Sequence, residues 1–448
     1  MQFHEMNTDW LYALGRRGDL IEACGAVEET RRYLASKNAA DEPYLAIPLV
    51  MDRGQFDDIA EAGRLLLRAQ GKVLGHLTRS LGRAGLCDLF EVPPAIQPFV
   101  DWDNLVEGRN LVVRFDVVPT ADGYKFCEIN CDSTVAGFEL FECQKVYGEA
   151  LGWPLAAHQR SPHEDICRLF QRLTQAHGLR RVLVCDWSRY RGTKTFAFDF
   201  LHEALQQALP GLDVRMAYED DYPADWLQPG QGSDVLVYRG FMFADMDDGG
   251  QFIQRICESG AMVINTFETE IRSNKRWFAL LHETAYQSLL DERELRAIER
   301  FVPKTLAMNP DNAQALLAEK DLYVFKLNCS SGGRGVYFGS EHSAEEMRAV
   351  FAQQGVEHWT AQAPIDSTTI ELPGPDGERA AHRLVLGLFL VDGHASGVNV
   401  RASKHSRVVN VSLGVASCLW ASPATPDTYQ TLLSRLATQQ PLREPAAG

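Results

Sequence analysis

The chain has 448 residues, 45% hydrophobic and 23% charged, the balance of a globular protein with two to four domains at roughly 150 residues each. Sixty acids against 44 bases give a formal net charge of −16, which argues against general nucleic-acid binding or a basic membrane-surface patch and leaves room for a local cationic pocket. MQFHEMNTDW has neither a basic nor an apolar leader segment, and the longest apolar stretch, around RLVLGLFLVDG, is strand-sized, so neither a signal peptide nor a membrane span is expected. The ten cysteines are scattered without a CxxC pair, which reads as reduced thiols in a cytoplasmic protein.

Residues 1–100 read as a helical region. Apolar spacings of three and four predict one helix from Asp9 to Leu34, with Asn7 or Thr8 as its cap, and a second from Phe56 to Leu81. Over 101–175 the texture changes, and NLVVRFDVVP and YKFCEIN read as paired strands. Over 176–272 the strands RRVLVCDW, LDVRMAY, SDVLVYRG and AMVINTF, with the helix TFAFDFLHEALQQAL, predict a small parallel α/β layer. Over 273–435 Ser273 is placed to cap a helix running through RWFALLHETAYQSLL. There LYVFKLN and GVYFG flank a Gly/Ser loop, HRLVLGLFLVDG and ASGVNVRAS form a hairpin, and RVVNVSLG follows as a strand. The tail, 436–448, ending QQPLREPAAG, is expected to be disordered. The fold class is thus α+β combined with α/β.

The hairpin carries the strongest signal. With its turn centred on Asp122, Asp116 lies opposite Glu128 and Arg114 opposite Asn130, all on one face, while Leu111, Val113, Phe115, Val117, Cys127 and Ile129 form a core face. Opposed carboxylates destabilise a sheet unless something neutralises them. Mg²⁺ does so with oxygen ligands, which Asp116, Glu128 and the Asn130 amide supply, and the Arg114 fork suits phosphate or carboxylate. A half-exposed sheet face with a surface ion pair is the alternative.

In VFKLNCSSGGRGVYFG, Lys326 ends a strand, and Ser330, Ser331, Gly332, Gly333, Arg334 and Gly335 form a loop whose backbone N–H groups can turn toward an anion. A ligand-free glycine hairpin would look the same. Neither a Walker A loop nor GxGxxG occurs, GTKT being the nearest string, and GxSxG and HExxH are also absent. Lys275 lies at a helix start, where a cation is normally unhelpful. Arg401, on an apolar strand, needs an anion partner. Gln362 sits on a strand leading toward a hinge, Asn410 on a further strand, and His382 and His405 read as surface or strand residues.

Together, RFD followed by EIN, SNK with Lys275 followed by FVPKT, and VFKLNCSSGGRGV with Lys326 resemble the ATP-grasp superfamily, specifically its circularly permuted branch that includes glutathionylspermidine synthase. The permuted character lies in the order: the acid and ExN motifs precede the lysines. The likeness covers roughly residues 100–420. The resemblance implies a circularly permuted ATP-grasp fold, with the parallel α/β layer preceding the ATP-binding lobes of 273–435. It also implies an ATP-dependent carboxylate–amine ligase that forms an acyl phosphate and releases ADP and phosphate. Asp116, Glu128 and Asn130 would then hold Mg²⁺. Lys275, Lys326 and the 330–335 loop would bind ATP, with Gln362 near the adenine. Arg114 and Arg401 would steady the transferring phosphoryl group, and Ser133 would lie near the acyl phosphate. The expected partners are a small carboxylate donor, such as an amino acid or peptide, and an amine acceptor, or else a carrier-protein thiol, with no nucleic acid and no membrane. An inactive nucleotide-binding regulator or scaffold is the competing reading. No amidase domain is expected in the sequence, and its loop is SSGGRG rather than the REG-type loop of glutathionylspermidine synthase.

Overall fold

The computed structural model describes residues 2–15, 49–109, 111–131, 161–191, 196–373, 379–410 and 417–438. Helix α1 (Phe3–Gly15) leads to β1 (Leu49–Asp52) and the long α2 (Arg53–Leu89). Asp52 both ends β1 and caps α2, its Oδ1 accepting from Gln55 N at 3.0 Å, which satisfies one of the helix's orphan donors. Gly82, at φ 66°, kinks α2 beyond the predicted end at Leu81. The first helix begins earlier than expected, so Asn7 is interior to it and is not a cap. Its buried amide donates to Phe3 O and Val50 O and accepts from Val50 N, each at 2.8 Å, tying α1 to β1. Strand β1 itself escapes the helical reading of 1–100: four residues are too short to show a period.

After α3 (Trp102–Glu107) come β2 (Val112–Thr120) and β3 (Gly123–Asn130). Then α4 (Pro162–His177), β4 (Arg181–Cys185), α5 (Phe196–Ala208), β5 (Asp213–Ala217), β6 (Val235–Arg239), α6 (Gln251–Ser259) and β7 (Met262–Ile264) alternate. The four strands form an all-parallel sheet in the order β5-β4-β6-β7, as the alternation predicts. Helices α7 (Glu268–Ser273), α8 (Trp277–His282), α9 (Thr284–Gln287) and α10 (Glu292–Phe301) follow. Ser273 ends α7 and is not a cap; its Oγ accepts from Cys131 N at 2.7 Å. Asn274 Oδ1 accepts from Arg276 N instead, at 2.9 Å, and Glu283 breaks the predicted single helix into α8 and α9.

Strands β8 (Thr305–Ala307), β9 (Val324–Leu327), β10 (Val336–Phe338) and β11 (Trp359–Gln362), with helices α11 (Ala313–Ala318) and α12 (Ala344–Gln354), make an antiparallel lobe in the order β10-β9-β11-β8. Its helix-covered face buries Phe325 and Ala361 with Leu316, Leu317, Met347 and Phe351. Strand alternation then turns Val324, Lys326 and Gln362 to the other face. Finally β12 (Thr369–Pro373), β13 (Arg379–Val391), β14 (His394–Ser403), β15 (Ser417–Ala424) and α13 (Pro426–Ala437) close the chain. The large sheet runs β1-β15-β14-β13-β2-β3, with β12 on the first half of β13 and β2 on the second. The predicted 382–403 hairpin is β13 and β14. Residues 407–410 are not a strand, and 411–416 lie outside the described residues, as does the tail segment 439–448. Among the described residues no helix is long and apolar enough to cross a membrane, and the described cysteines form no disulfide.

Because Asn7 is the buried link between α1 and the edge strand, Asn7→Ala leaves Val50 N–H and C=O without their partner. Urea denaturation should show a loss of about 2 kcal/mol or more.

Candidate functional site

The pairing of β2 with β3 sets Asp116 opposite Glu128 and Arg114 opposite Asn130, the expected register, but by a different route. The turn is two residues, Ala121 and Asp122, with Thr120 paired to Gly123. A β-bulge at Cys127 then restores the register, since Val117 pairs with Phe126 and Asp116 with Glu128. Cys127 is therefore not a core residue as its alternation implied. It lines the cleft, while Phe126 and Tyr124 point into the core.

Asp116 is 5% exposed. Its Oδ1 receives Arg114 Nε at 3.0 Å and Arg401 Nη2 at 2.7 Å, so Arg401 has the anion its burial requires. Burial pushes the Asp116 carboxyl up; the two guanidinium charges more than offset this and hold it at about 2. Glu128 Oε1 lies 2.7 Å from Lys275 Nζ, and Lys275 also donates to Ser330 O in the glycine loop. Lys326 Nζ donates to Cys127 O at 2.9 Å and to Gln362 Oε1 at 2.8 Å. Gln362 Nε2 in turn donates to Thr305 Oγ1 at 3.2 Å. Burial pushes the Cys127 thiol up to about 12, with Lys326 opposing it, so it is not an activated nucleophile.

Asp116, Glu128, Lys275, Lys326, Gln362, Arg401 and Gly333 all line one cleft of about 360 Å³ between the large sheet and the antiparallel lobe. Five cationic side chains and three carboxylates line it, and Val118, Val324, Val336, Phe338, Leu384 and Val409 give it an apolar part. Gly332, Gly333 and Gly335 have φ of 66°, 75° and 67°, the left-handed backbone that lets a loop turn its N–H groups to one side. Ser330 and Ser331 face a second cavity, of about 160 Å³, lined also by Glu128 and Asn130. The four hairpin residues thus share a sheet face, but Asn130 opens on the second cavity. Asn410 lines the cleft. Arg334 Nε points to Ser331 O within its own loop, and Ser133 lies outside the described residues. His382 is buried on β13, its Nδ1 2.7 Å from Ala380 O.

Among the described residues no group of three or more His, Cys, Asp and Glu side chains gathers as a metal centre. The donor set of Asp116, Glu128 and Asn130 is chemically sound for a hard cation. Asp116 and Glu128 each present one oxygen to the cations named above, and Asn130 commits its amide nitrogen to Arg114 O at 3.3 Å, which leaves each an oxygen for Mg²⁺.

Gly387 and Asn399 escaped the sequence reading. Gly387 stands between Asp116 on β2 and Asn399 on β14 in one row across the sheet. A Cβ there would lie 2.0 Å from Asn399 Oδ1 and 2.8 Å from Arg114 Cδ. The missing side chain is what lets Arg114 lie across β13. A lone glycine inside the apolar run RLVLGLFLV was its signal.

No protein family and no curated protein matches the sequence. Among solved structures, a glutathione synthetase-like effector from Globodera pallida, in its apo form, is similar at 11% identity and a TM-score of 0.59, over 91% of this chain and 97% of that one. A protein assigned as a gamma-glutamylcysteine synthetase from Methylobacillus flagellatus KT aligns over 84% of this chain and 95% of its own at 13% identity, with a TM-score of 0.37. The first of these shows the fold class: a mixed α/β chain with parallel and antiparallel sheets, built like a glutathione synthetase-like protein.

Two outcomes follow. Gly387→Ala should displace Arg114 or Asn399 and lower the melting temperature, whereas Gly393→Ala, at a site with open space around it, should cost less despite its positive φ. The Asp116 pKa is depressed on folding, so its stabilisation is present above its unfolded value of about 3.9 and is lost as pH falls toward about 2. Denaturation between pH 5 and pH 2 should show a steep acid limb that Asp116→Asn flattens.

Proposed function

We propose that the chain is an ATP-dependent carboxylate–amine ligase of the circularly permuted ATP-grasp kind, forming an amide through an acyl phosphate and releasing ADP and phosphate. One observation carries the reading. Cations from three separate stretches, Lys275, Lys326 and Arg401, line with Asp116 and Glu128 a cleft that also has an apolar part, and Arg114 pairs with Asp116. That combination suits a purine nucleotide with its polyphosphate. The shared fold with a glutathione synthetase-like protein is in keeping with it.

In this reading Val324, Val336 and Phe338 cover the base, with Gln362 beside it, and Lys326 and Lys275 neutralise the phosphates under the 330–335 loop. Asp116, Glu128 and Asn130 would hold Mg²⁺, which would supply charge neutralisation at the phosphates. Arg114 and Arg401, fixed by Asp116, offer guanidinium N–H groups to the phosphoryl group in transfer. The donor carboxylate oxygen bonds to the γ-phosphorus as the bond to ADP breaks. The acceptor nitrogen then bonds to the acyl carbon, and phosphate leaves with the electron pair. Such transfer needs positioning and charge stabilisation more than covalent help. Ser133, carried from the family likeness, belongs near the acyl phosphate. The donor is proposed to be an amino acid or small peptide.

The test is an ADP-release assay over pooled carboxylates and amines, with product mass spectrometry. Lys326→Ala and Glu128→Ala should keep the wild-type circular dichroism spectrum and lower ADP release by about 10²-fold or more. Wild-type rates in both variants would refute the assignment.

A further inference from the structure

The antiparallel lobe is tied to the rest of the chain at two depths. In the interior the ties are buried. Lys326, 9% exposed, donates to Cys127 O at 2.9 Å, and Asn328, 1% exposed, donates to Glu91 Oε1 at 2.8 Å. At the solvent edge the tie is an arginine. Arg407 follows β14 of the large sheet, Phe338 ends β10 of the lobe, and both line the cleft that holds Lys326 and Asp116.

The Arg407 guanidinium carbon lies 4.0 Å from the centroid of the Phe338 ring. Its Nη1 donates to Glu341 Oε1 at 3.3 Å and to Ser340 Oγ at 3.4 Å. The Arg407 side chain is 34% exposed and that of Glu341 50%, so water reaches the contact. Strand β10 is already held by β9, and β14 by β13 and β15. The contacts of Arg407 therefore join two sheets across an opening and are needed to build neither. An exposed ion pair is weak, and a guanidinium over an aromatic face adds a comparable amount. Such a contact breaks and reforms readily. With it made, the cleft still holds about 360 Å³, within the roughly 300–1,000 Å³ of ligand pockets. Arg407 thus roofs that space and does not fill it.

We infer that Arg407 is a latch across the rim of the cleft: it lets go of Phe338 and Glu341 for a nucleotide to enter or leave, and closes again over the bound nucleotide. This rests on the nucleotide reading above. The latch makes the same contacts over an empty cleft as over a filled one. It therefore holds the closed form equally in both states, slows entry and exit by the same factor, and shifts the affinity little. A residue that touched the bound nucleotide would behave differently, since it would slow exit alone and tighten binding. The lobe turns on its buried ties, Lys326 and Asn328, while the exposed tie opens.

Stopped-flow binding of magnesium N-methylanthraniloyl-ATP to the full chain, and its displacement by unlabelled Mg-ATP, tests this. Arg407→Ala should raise the association and dissociation rate constants together, each about fivefold. The dissociation constant should stay within about a factor of two of the wild type. Glu341→Gln, which removes the ion pair and keeps the ring contact, should raise both rates by a smaller factor. Both side chains are partly exposed, so both variants should keep the wild-type circular dichroism spectrum. A rise in dissociation alone, or unchanged rates, would overturn the latch. Hydrogen exchange in the nucleotide-free protein separates the latch from the nucleotide reading. The amides of residues 336–342 should exchange faster in Arg407→Ala, while those of β13 keep their wild-type protection. Equal exchange at 336–342 would overturn the latch whatever the binding data show. Faster exchange there, with no Mg-ATP binding by the wild type, would sustain the join between lobe and sheet and overturn the nucleotide reading, and the entry role with it.

Discussion

Asp116 is a buried carboxylate clasped by two arginines from strands on either side of β13, and the rest of the site is arranged around it. A lone buried carboxylate would protonate, and a lone buried guanidinium would have no counter-charge. Here Arg114 and Arg401 converge on Oδ1, which fixes both forks and leaves one net positive charge on the sheet face. On the neighbouring strand Glu128 meets Lys275, so the second carboxylate is also answered by a cation. The outcome is a cleft whose cations outnumber its acids on a chain whose formal net charge is −16. The cationic excess of the cleft is a local property, set by which strands meet, and net charge does not report it.

Two backbone irregularities make that meeting possible. The bulge at Cys127 shifts the hairpin by one residue, so Phe126 and Ile129 both reach the core while Glu128 and Asn130 stay on the functional face. It also turns the Cys127 carbonyl to Lys326, which couples the large sheet to the antiparallel lobe. Gly387 empties the middle of the polar row so that a long side chain can lie across β13. A regular hairpin and a side chain at 387 would give an equally good sheet without this site. Both departures are best explained as features retained for the cleft.

The charged hairpin face was legible because its period is two and its polar residues are acids and amides, which strands normally avoid at facing positions. Its register came out right even though the turn was misplaced by half a residue and the bulge unseen, because the two errors cancel. The parallel layer was legible for another reason: β4 and β6 carry short apolar runs, VLVC and VLVY, with a helical period between them. What could not be read depends on contacts distant in sequence. Strand β1 exists because residues 49–52 pair with 421–424. Asn7 looked like a cap because nothing local announces Val50. Ser273 looked like one too, until Cys131 N, 142 residues away, claimed its hydroxyl. Gln362 gave no chemistry on its own; its meaning comes from standing between Lys326 and Thr305.

The state of Lys326 shows how the cleft is prepared. With a buried ammonium bonded to Cys127 O and Gln362 Oε1, the lobe and the hairpin are already joined through the very group that would meet a phosphate. Both acceptors are neutral, so an arriving phosphate oxygen, which forms a stronger charge-assisted bond, can share or replace them without stranding a charge. Lys275 differs: it is paired with the carboxylate of Glu128 and with Ser330 O, so a cation drawn to Glu128 competes with the lysine and frees it toward the loop. Under the proposed function, a metal at Glu128 would therefore act on the 330–335 loop through one ammonium group. That linkage would follow from the ion pair and the Ser330 contact together, whatever the carboxylate donor of the proposed reaction.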